Sequence, residues 1–278
     1  MQLFNKSSVS IFENDFNIRQ HCHTVLTIPL NQQKNLNMKR LFPLLFTAAL
    51  SAASLSVIGN PVLNPLTVIQ DDKNVKNFSG VAAGGPIQVI VTLGNTESIR
   101  FEGDAEAIAT LVTEVKGEIL IIRPSISWKS WAKKYEGKKI IAHVNAKQIS
   151  SLTMSGDGSI LVKGTVTAAE LATTLSGSGS IKATIDADEL NTNISGSGSL
   201  ELNGKADEGS VNISGSGKLN GKMLAINTLN ARISGSGSVY SKVSSTINAF
   251  ISGSGHVYYS GNPSIEQKVI GSGGVSEF

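Results

Sequence analysis

Ile194-Ser-Gly-Ser-Gly-Ser-Leu200 is the stretch whose reading decides the fold, because the same phrase returns throughout the region from Met154 to Val275. Its other forms are Met154-SGDGS-Ile160, Leu175-SGSGS-Ile181, Ile213-SGSGK-Leu219, Ile233-SGSGS-Val239, Ile251-SGSGH-Val257 and the drifting Val269-IGSGG-Val275. The leading glycines fall at 156, 177, 196, 215, 235, 253 and 271, spaced by 21, 19, 19, 20, 18 and 18 residues. Self-similarity at a period near 20 marks a stacked repeat. With the first Gly as zero, positions −2 and +4 are apolar in all seven copies, and −6 is Leu171, Leu190, Leu229, Ile247 or Ile265 in five. Such shared parity is the period of a strand, not a helix.

Two readings of the phrase itself stay open. In one, the alternation continues, so that both glycines face inward and the serines form outward polar columns about 4.8 Å apart, the spacing of neighbouring strands. In the other, the glycines supply positive φ at a tight corner and the serine hydroxyls bond local backbone. Either way, a coil of this length cannot bury its own apolar side, and burial comes from the coils above and below. Each stacked Ile or Leu then contributes about 1.5–3 kcal/mol. The expected fold is all-β: a right-handed β-helix, or β-solenoid, of 18–21-residue coils with a strand-rich N-terminal cap.

Composition agrees: 40% hydrophobic but 5% aromatic residues suit a narrow aliphatic core. Residues 38–53, Met38-Lys-Arg followed by LFPLLFTAALSAA, have the basic start, apolar run and small residues of a signal peptide cut near Ala53. The run is short for a membrane span. Residues 1–37 then read as a non-native upstream extension, with Met38 as the true start. Cys22, the single cysteine, lies in that extension beside His21 and His23, with no further ligands nearby. Of 24 Lys and Arg and 21 Asp and Glu, the first 53 residues hold five and two, so the remainder carries 19 of each. A neutral mature chain gives no electrostatic reason to expect nucleic acid.

Residues 54–77 are expected to be a linker or first-coil cover, and 78–278 a single solenoid domain, with 78–150 as opening coils and cap. Pro86-IQVIVTLG places Ile87, Val89, Val91 and Leu93 on one side of a strand, with a turn at Gly94-Asn95 and a second strand through Ile99 and Phe101. Asp104 is a helix cap before AEAIATLV, expected to form a short Ala-rich turn or two, with Lys116-Gly117 closing the segment. Strands follow at Glu118-ILIIR and Lys139-IIAHV. Between them, Trp128, Lys129, Trp131, Lys133, Lys134 and Tyr135 alternate rings with cations in an expected loop or hairpin tip. These six are the candidate surface-binding residues, since aromatic faces flanked by cations suit sugar rings, anionic polymers or a membrane surface. The structural reading is that the tryptophans cover the solenoid flank while the lysines stay solvated.

From Phe78-Ser-Gly-Val through GEILIIRP and IIAHVNAKQISSLTMSGDGSI to the last SGSGH phrase, the chain resembles the bacterial auto-transporter adhesin, head GIN domain family. The resemblance implies an exported all-β protein with a right-handed β-helical stack, and it supplies no catalytic residues. An independent search for chemistry agrees. Asp157 has no column of acidic partners, because the next phrases carry Ser in its place. Asp186, Asp188 and Glu189 read as a solvated turn, since calcium wants six or more oxygens. His143 and His256 lack a recognisable nucleophile partner. No catalytic, cofactor or metal residues are therefore assigned. The expected function is a non-enzymatic exported protein, in the periplasm, on the outer surface or secreted, whose repetitive face binds a cell-surface glycan or envelope component. No integral membrane segment is expected after signal cleavage. Alternatives are a self-assembling envelope protein, pairing with a second copy through the solenoid ends, and a polysaccharide-degrading β-helix enzyme.

Overall fold

The computed structural model describes residues 68–69 and 75–278. The expected upstream extension, signal segment and Cys22, and most of the expected linker, lie outside the described residues. Short strands come first: β1 (Val68–Ile69), β2 (Gly80–Gly84), β3 (Gln88–Leu93) and β4 (Ser98–Gly103), then helix α1 (Ala105–Ala109). The β5 (Leu111–Lys116) and β6 (Ile119–Pro124) hairpin, helix α2 (Trp128–Lys134), β7 (Ile140–Ala146) and β8 (Ser151–Gly156) follow. The repeats are long bent strands: β9 (Ser159–Gly177), β10 (Ser180–Gly196), β11 (Ser199–Gly215), β12 (Lys218–Gly235) and β13 (Ser238–Gly253). The stack ends with β14 (His256–Ser260), β15 (Ser264–Gly271) and β16 (Gly274–Glu277).

The protein is a β-solenoid of about seven turns. Consecutive repeats pair in parallel, and the phrase residues lie directly over one another. Ile194 sits over Leu175 and under Ile213, which in turn meets Ile233, then Ile251 and Val269. A second inward ladder runs through Ile160, Ile181, Leu200, Leu219, Val239, Val257 and Val275. The core is thus an aliphatic column that no single coil could build. One polar pair is enclosed in it: Thr173 and Thr192 are buried and share a hydrogen bond of 2.8 Å between their hydroxyls. At 209, where the −6 ladder has Gly instead of Leu, the Ile226 side chain occupies the space, within 2.8 Å of where a Cβ would stand.

The two readings of the Ser-Gly phrase are each right about one glycine. Gly196 has φ +113°, and a Cβ there would approach the Gly177 carbonyl oxygen to 2.6 Å, so the first position is a corner that admits only glycine. Gly237, at the second position, has ordinary φ but faces inward, where a Cβ would meet Ile213 Cγ2 at 2.5 Å and the Gly217 carbonyl at 2.8 Å. The glycine carbonyls accept backbone N–H groups of the next coil, as in Ser197 to Gly177 at 3.0 Å and Ser199 to Gly179 at 3.1 Å. The serines themselves point outward: Ser195, Ser197 and Ser199 are exposed.

At the N-terminal end, spatial order departs from chain order. The β2 strand lies between β6 and β8, and β3 lies between β7 and β9, all in parallel. The rung formed by β6 and β7 is therefore stacked outside the rung that precedes it in sequence. Antiparallel strands then cover the outer edge, β5 on β6 and β4 on β7, with β1 on β4. This covering protects a sheet edge that would otherwise pair with other chains. The helical turns expected over AEAIATLV stop at Ala109, and Leu111–Lys116 is the β5 strand. Gly117 and Glu118, both with positive φ (57° and 63°), make the hairpin turn that pulls those residues into the sheet.

Candidate functional site

The helix α2 replaces the expected loop. Trp131 and Tyr135 lie one helical turn apart and so land on one face, where they are only 1% and 6% exposed. Their rings pack 5.1 Å apart. The Trp131 indole N–H donates to Thr110 Oγ1 at 2.7 Å, and that hydroxyl donates to the Ala107 carbonyl at 2.7 Å. The Tyr135 hydroxyl donates to Glu106 at 3.3 Å, Lys134 pairs with Glu106 at 3.1 Å, and Lys138 pairs with Asp104 at 2.9 Å. The helix is thereby clamped onto α1. Neither buried ring offers a face to a ligand, whereas Lys129, Lys133 and Lys134 are exposed.

The clamp perturbs its ionisable groups. Lys138, and after it the Ala107 backbone N–H, hold the Asp104 carboxyl below its usual range. Asp104 in return raises Lys138. Glu97, on the other flank of the cap, is lowered first by the Asn77 N–H, which stands at a positive-φ turn, and also by Phe78 and Lys147.

A broader polar surface lies on the repeats themselves. Positions −5 and −3 of successive coils carry Asn191, Ser210, Asn230, Asn248, Glu266 and, beside them, Asn193, Asn212, Arg232, Phe250, Lys268. Parity turns them away from the core, and those from Ser210 and Asn212 onward line an open depression of about 650 Å³. Amides bridge the rungs: Asn248 donates to Asn230 at 2.9 Å, Asn230 to Glu208 at 2.9 Å, and Asn212 to Asn193 at 3.3 Å. The Arg232 guanidinium stands 5.9 Å from the centre of the half-buried Phe250 ring. Chemically, this is an open row of amide, guanidinium and carboxylate groups at rung spacing beside one aromatic face. It is equipped to hydrogen-bond a row of hydroxyls. Inspection of the inward positions −6, −4 and −2 passes it over, although the signal is in the sequence, as Asn recurring at −5 and −3.

The acids considered for metal are engaged otherwise. Asp186 pairs with Lys205 at 3.3 Å and Glu189 accepts from Asn191 at 2.9 Å. Among the described residues, no three or more His, Cys, Asp or Glu converge as a metal-holding group. His143 is 3.0 Å from Glu102 across β4 and β7, as a strand-to-strand pair. Asp157 lies exposed in its corner.

The family profile described as "Putative auto-transporter adhesin, head GIN domain" matches residues 77–263, which span the cap and nearly all the repeats. The chain belongs to this head GIN domain family. Among solved structures, a "putative adhesin" from Bacteroides fragilis superposes with a TM-score of 0.65 at 20% identity, covering 76% of this chain and 97% of that one. A "putative adhesin" from Parabacteroides distasonis gives 0.60 at 21% identity, covering 76% and 97%. A "putative lipid binding protein" from the same species gives 0.53 at 22% identity, covering 74% and 95%. At these identities the likeness shows the shared fold. No curated protein matches the sequence. The adhesin family name supports an exported protein, and no helix among the described residues is long and apolar enough to cross a membrane.

Proposed function

We propose that this head GIN domain protein is a non-enzymatic module of the cell envelope or its surroundings that grips an extended hydrated polymer, a surface glycan. The observation that carries the reading is two adjoining outward columns at rung spacing, Asn230 and Asn248 in one and Asn212, Arg232 and Phe250 in the other, which together line an open depression. A rigid sheet fixes these groups about 4.8 Å apart, a periodicity comparable to the length of one sugar residue. A polymer aligned with the solenoid axis can therefore meet an outward side chain on each coil. Such multivalency raises affinity without any single strong contact. The Phe250 face supplies the apolar surface on which a pyranose stacks.

Export, and final residence in the periplasm, on the surface or outside the cell, belong to this reading. The exposed lysines of α2, Lys129 and Lys133, are proposed as auxiliary contacts, while Trp131 and Tyr135 hold the helix in place.

Glycan-array binding by the chain from residue 54 onward tests the proposal. Binding to at least one envelope polysaccharide is expected, falling at least about tenfold in Asn230→Ala/Asn248→Ala and in Phe250→Ala. Unaltered binding in both variants removes the groove from the account. Release of new reducing ends from the bound polymer would contradict the non-enzymatic reading.

A further inference from the structure

A different face of the same coils carries a feature that the amide groove does not explain. Past the Ser-Gly corner, the outward +5 positions of successive rungs are Asn220, Tyr240, Tyr258 and Ser276, and the +3 positions are Lys218, Ser238, His256 and Gly274. The Tyr240 and Tyr258 rings stack at 4.6 Å with 18° between planes. The His256 and Tyr258 rings are near-parallel as well, 5.6 Å apart with 14° between planes. The rung beyond offers only Ser276 and Gly274 opposite these rings, which leaves them half-exposed. Phe278 packs edge-on against Tyr240 at 5.8 Å.

At the other end of the stack are cations. The Lys218 Nζ stands 4.5 Å from the centre of the Tyr240 ring, and the Lys222 Nζ stands 5.1 Å from it and 5.6 Å from the Phe278 ring. Lys242, exposed, shares the outward parity of Tyr240 two residues on. Among the described residues, neither Lys218 nor Lys222 pairs with a carboxylate, unlike Lys182 and Lys205, which find Glu201 and Asp186 across the rungs. His256 donates Nδ1–H to the Ser254 carbonyl at 3.0 Å, which fixes the ring and leaves Nε2 as its other polar atom.

We propose that this ring stack is a second binding site, for a short run of a carboxylate-bearing polysaccharide that covers the free face of Tyr258 and passes over the ring edges toward the cations. One sugar stacks on the Tyr258 ring with His256 alongside, and a carboxylate about two rungs away, roughly 10 Å, pairs with Lys218 and Lys222. Charge complementarity selects the occupant: paired ammonium groups with no internal carboxylate partner attract an anion, and stacked rings prefer a sugar face. The proposal rests on the glycan-binding reading but uses other residues, so the two can fail separately.

The probes are oligogalacturonate and a neutral cello-oligosaccharide of equal length, titrated calorimetrically into the chain from residue 54 onward. Oligogalacturonate is expected to bind in low salt and to weaken as salt rises, with the neutral oligomer at least about tenfold weaker. Lys218→Gln/Lys222→Gln and, separately, Tyr258→Ala are each expected to cut oligogalacturonate affinity at least about tenfold, whereas Asn230→Ala/Asn248→Ala leaves it unchanged. All these positions face outward, and unchanged melting temperatures confirm folded variants. The proposal is overturned by no oligogalacturonate binding, by equal affinity for the neutral oligomer, or by binding that survives the lysine variant. Loss of binding in the asparagine variant alone would overturn it too, and would assign the anion to the groove.

Discussion

The cap (residues 75–150) and the repeats (151–257) keep the same aliphatic column closed by opposite means. In the repeats, every coil offers the same shape to the next, so stability resides in the ladder from Met154 to Val269 and in glycine corners that let backbones approach. In the cap no residue repeats its neighbour. Antiparallel strands cover the edge, and α2 is held by specific contacts: Trp131 on Thr110, Tyr135 and Lys134 on Glu106, Lys138 on Asp104. Periodicity thus extends a solenoid, while irregular, polar, aromatic structure ends it. The same difference is why the proposed ligand surfaces lie chiefly on the repeats, where a contact can recur, and why the cap's buried rings act as fasteners.

The largest effect that can break this contrast is a charge inside the ladder. Ile213→Asp is expected to cost more than about 4 kcal/mol and to unfold neighbouring coils together, because a buried carboxylate there has only aliphatic partners. Equilibrium denaturation with residue-level hydrogen exchange reads it; loss of protection confined to a single coil would refute the cooperative column. Trp131→Ala comes next, at roughly 3–5 kcal/mol by loss of a buried indole and its hydrogen bond. Its effect is expected in the cap first, with amides of α1 and α2 exchanging faster while those of β10–β12 stay protected. Gly196→Ala is expected to cost about 2–3 kcal/mol through forced positive φ. In the cap, Gly117→Asn is expected to stay within about 1 kcal/mol, since φ +57° suits Asn and no atom lies within 4 Å of the new Cβ.

Acid sharpens the contrast with a smaller, local effect. Asp104 and Glu97 have carboxyls lowered in the folded chain from ordinary values of 3.8 and 4.5. Groups lowered by folding lend stability above their unfolded values, and that stability fades as pH falls through the folded ones. Acidification below about pH 4 is therefore expected to raise exchange in the cap before the repeats. Exchange rising first in β10–β12 would contradict the assignment of these pairs to the cap.

How legible this was in the sequence depended on repetition. The Met154–Val275 phrases carried the solenoid, because spacing near 20 residues with one shared parity admits one stacking. The cap's spatial order was not legible: placing β2 between β6 and β8 depends on contacts between distant segments that leave no local period. The α2 helix was missed because alternating rings and lysines mimic a loop, while the one-turn spacing of Trp131 and Tyr135, which decides burial, went unread. The amide row and the Tyr240–Tyr258 stack sit at outward positions, where hydrophobic patterning is silent and only recurrence at one offset betrays them.

The in-register column is tested most directly by methyl–methyl nuclear Overhauser spectroscopy on isoleucine-labelled chain. Stacked rungs about 4.8 Å apart require cross-peaks between Ile194 and Ile213, Ile213 and Ile233, and Ile233 and Ile251, with none linking Ile194 directly to Ile233. Missing neighbour peaks, or a direct Ile194–Ile233 peak, would contradict the stack and every surface assignment built on it.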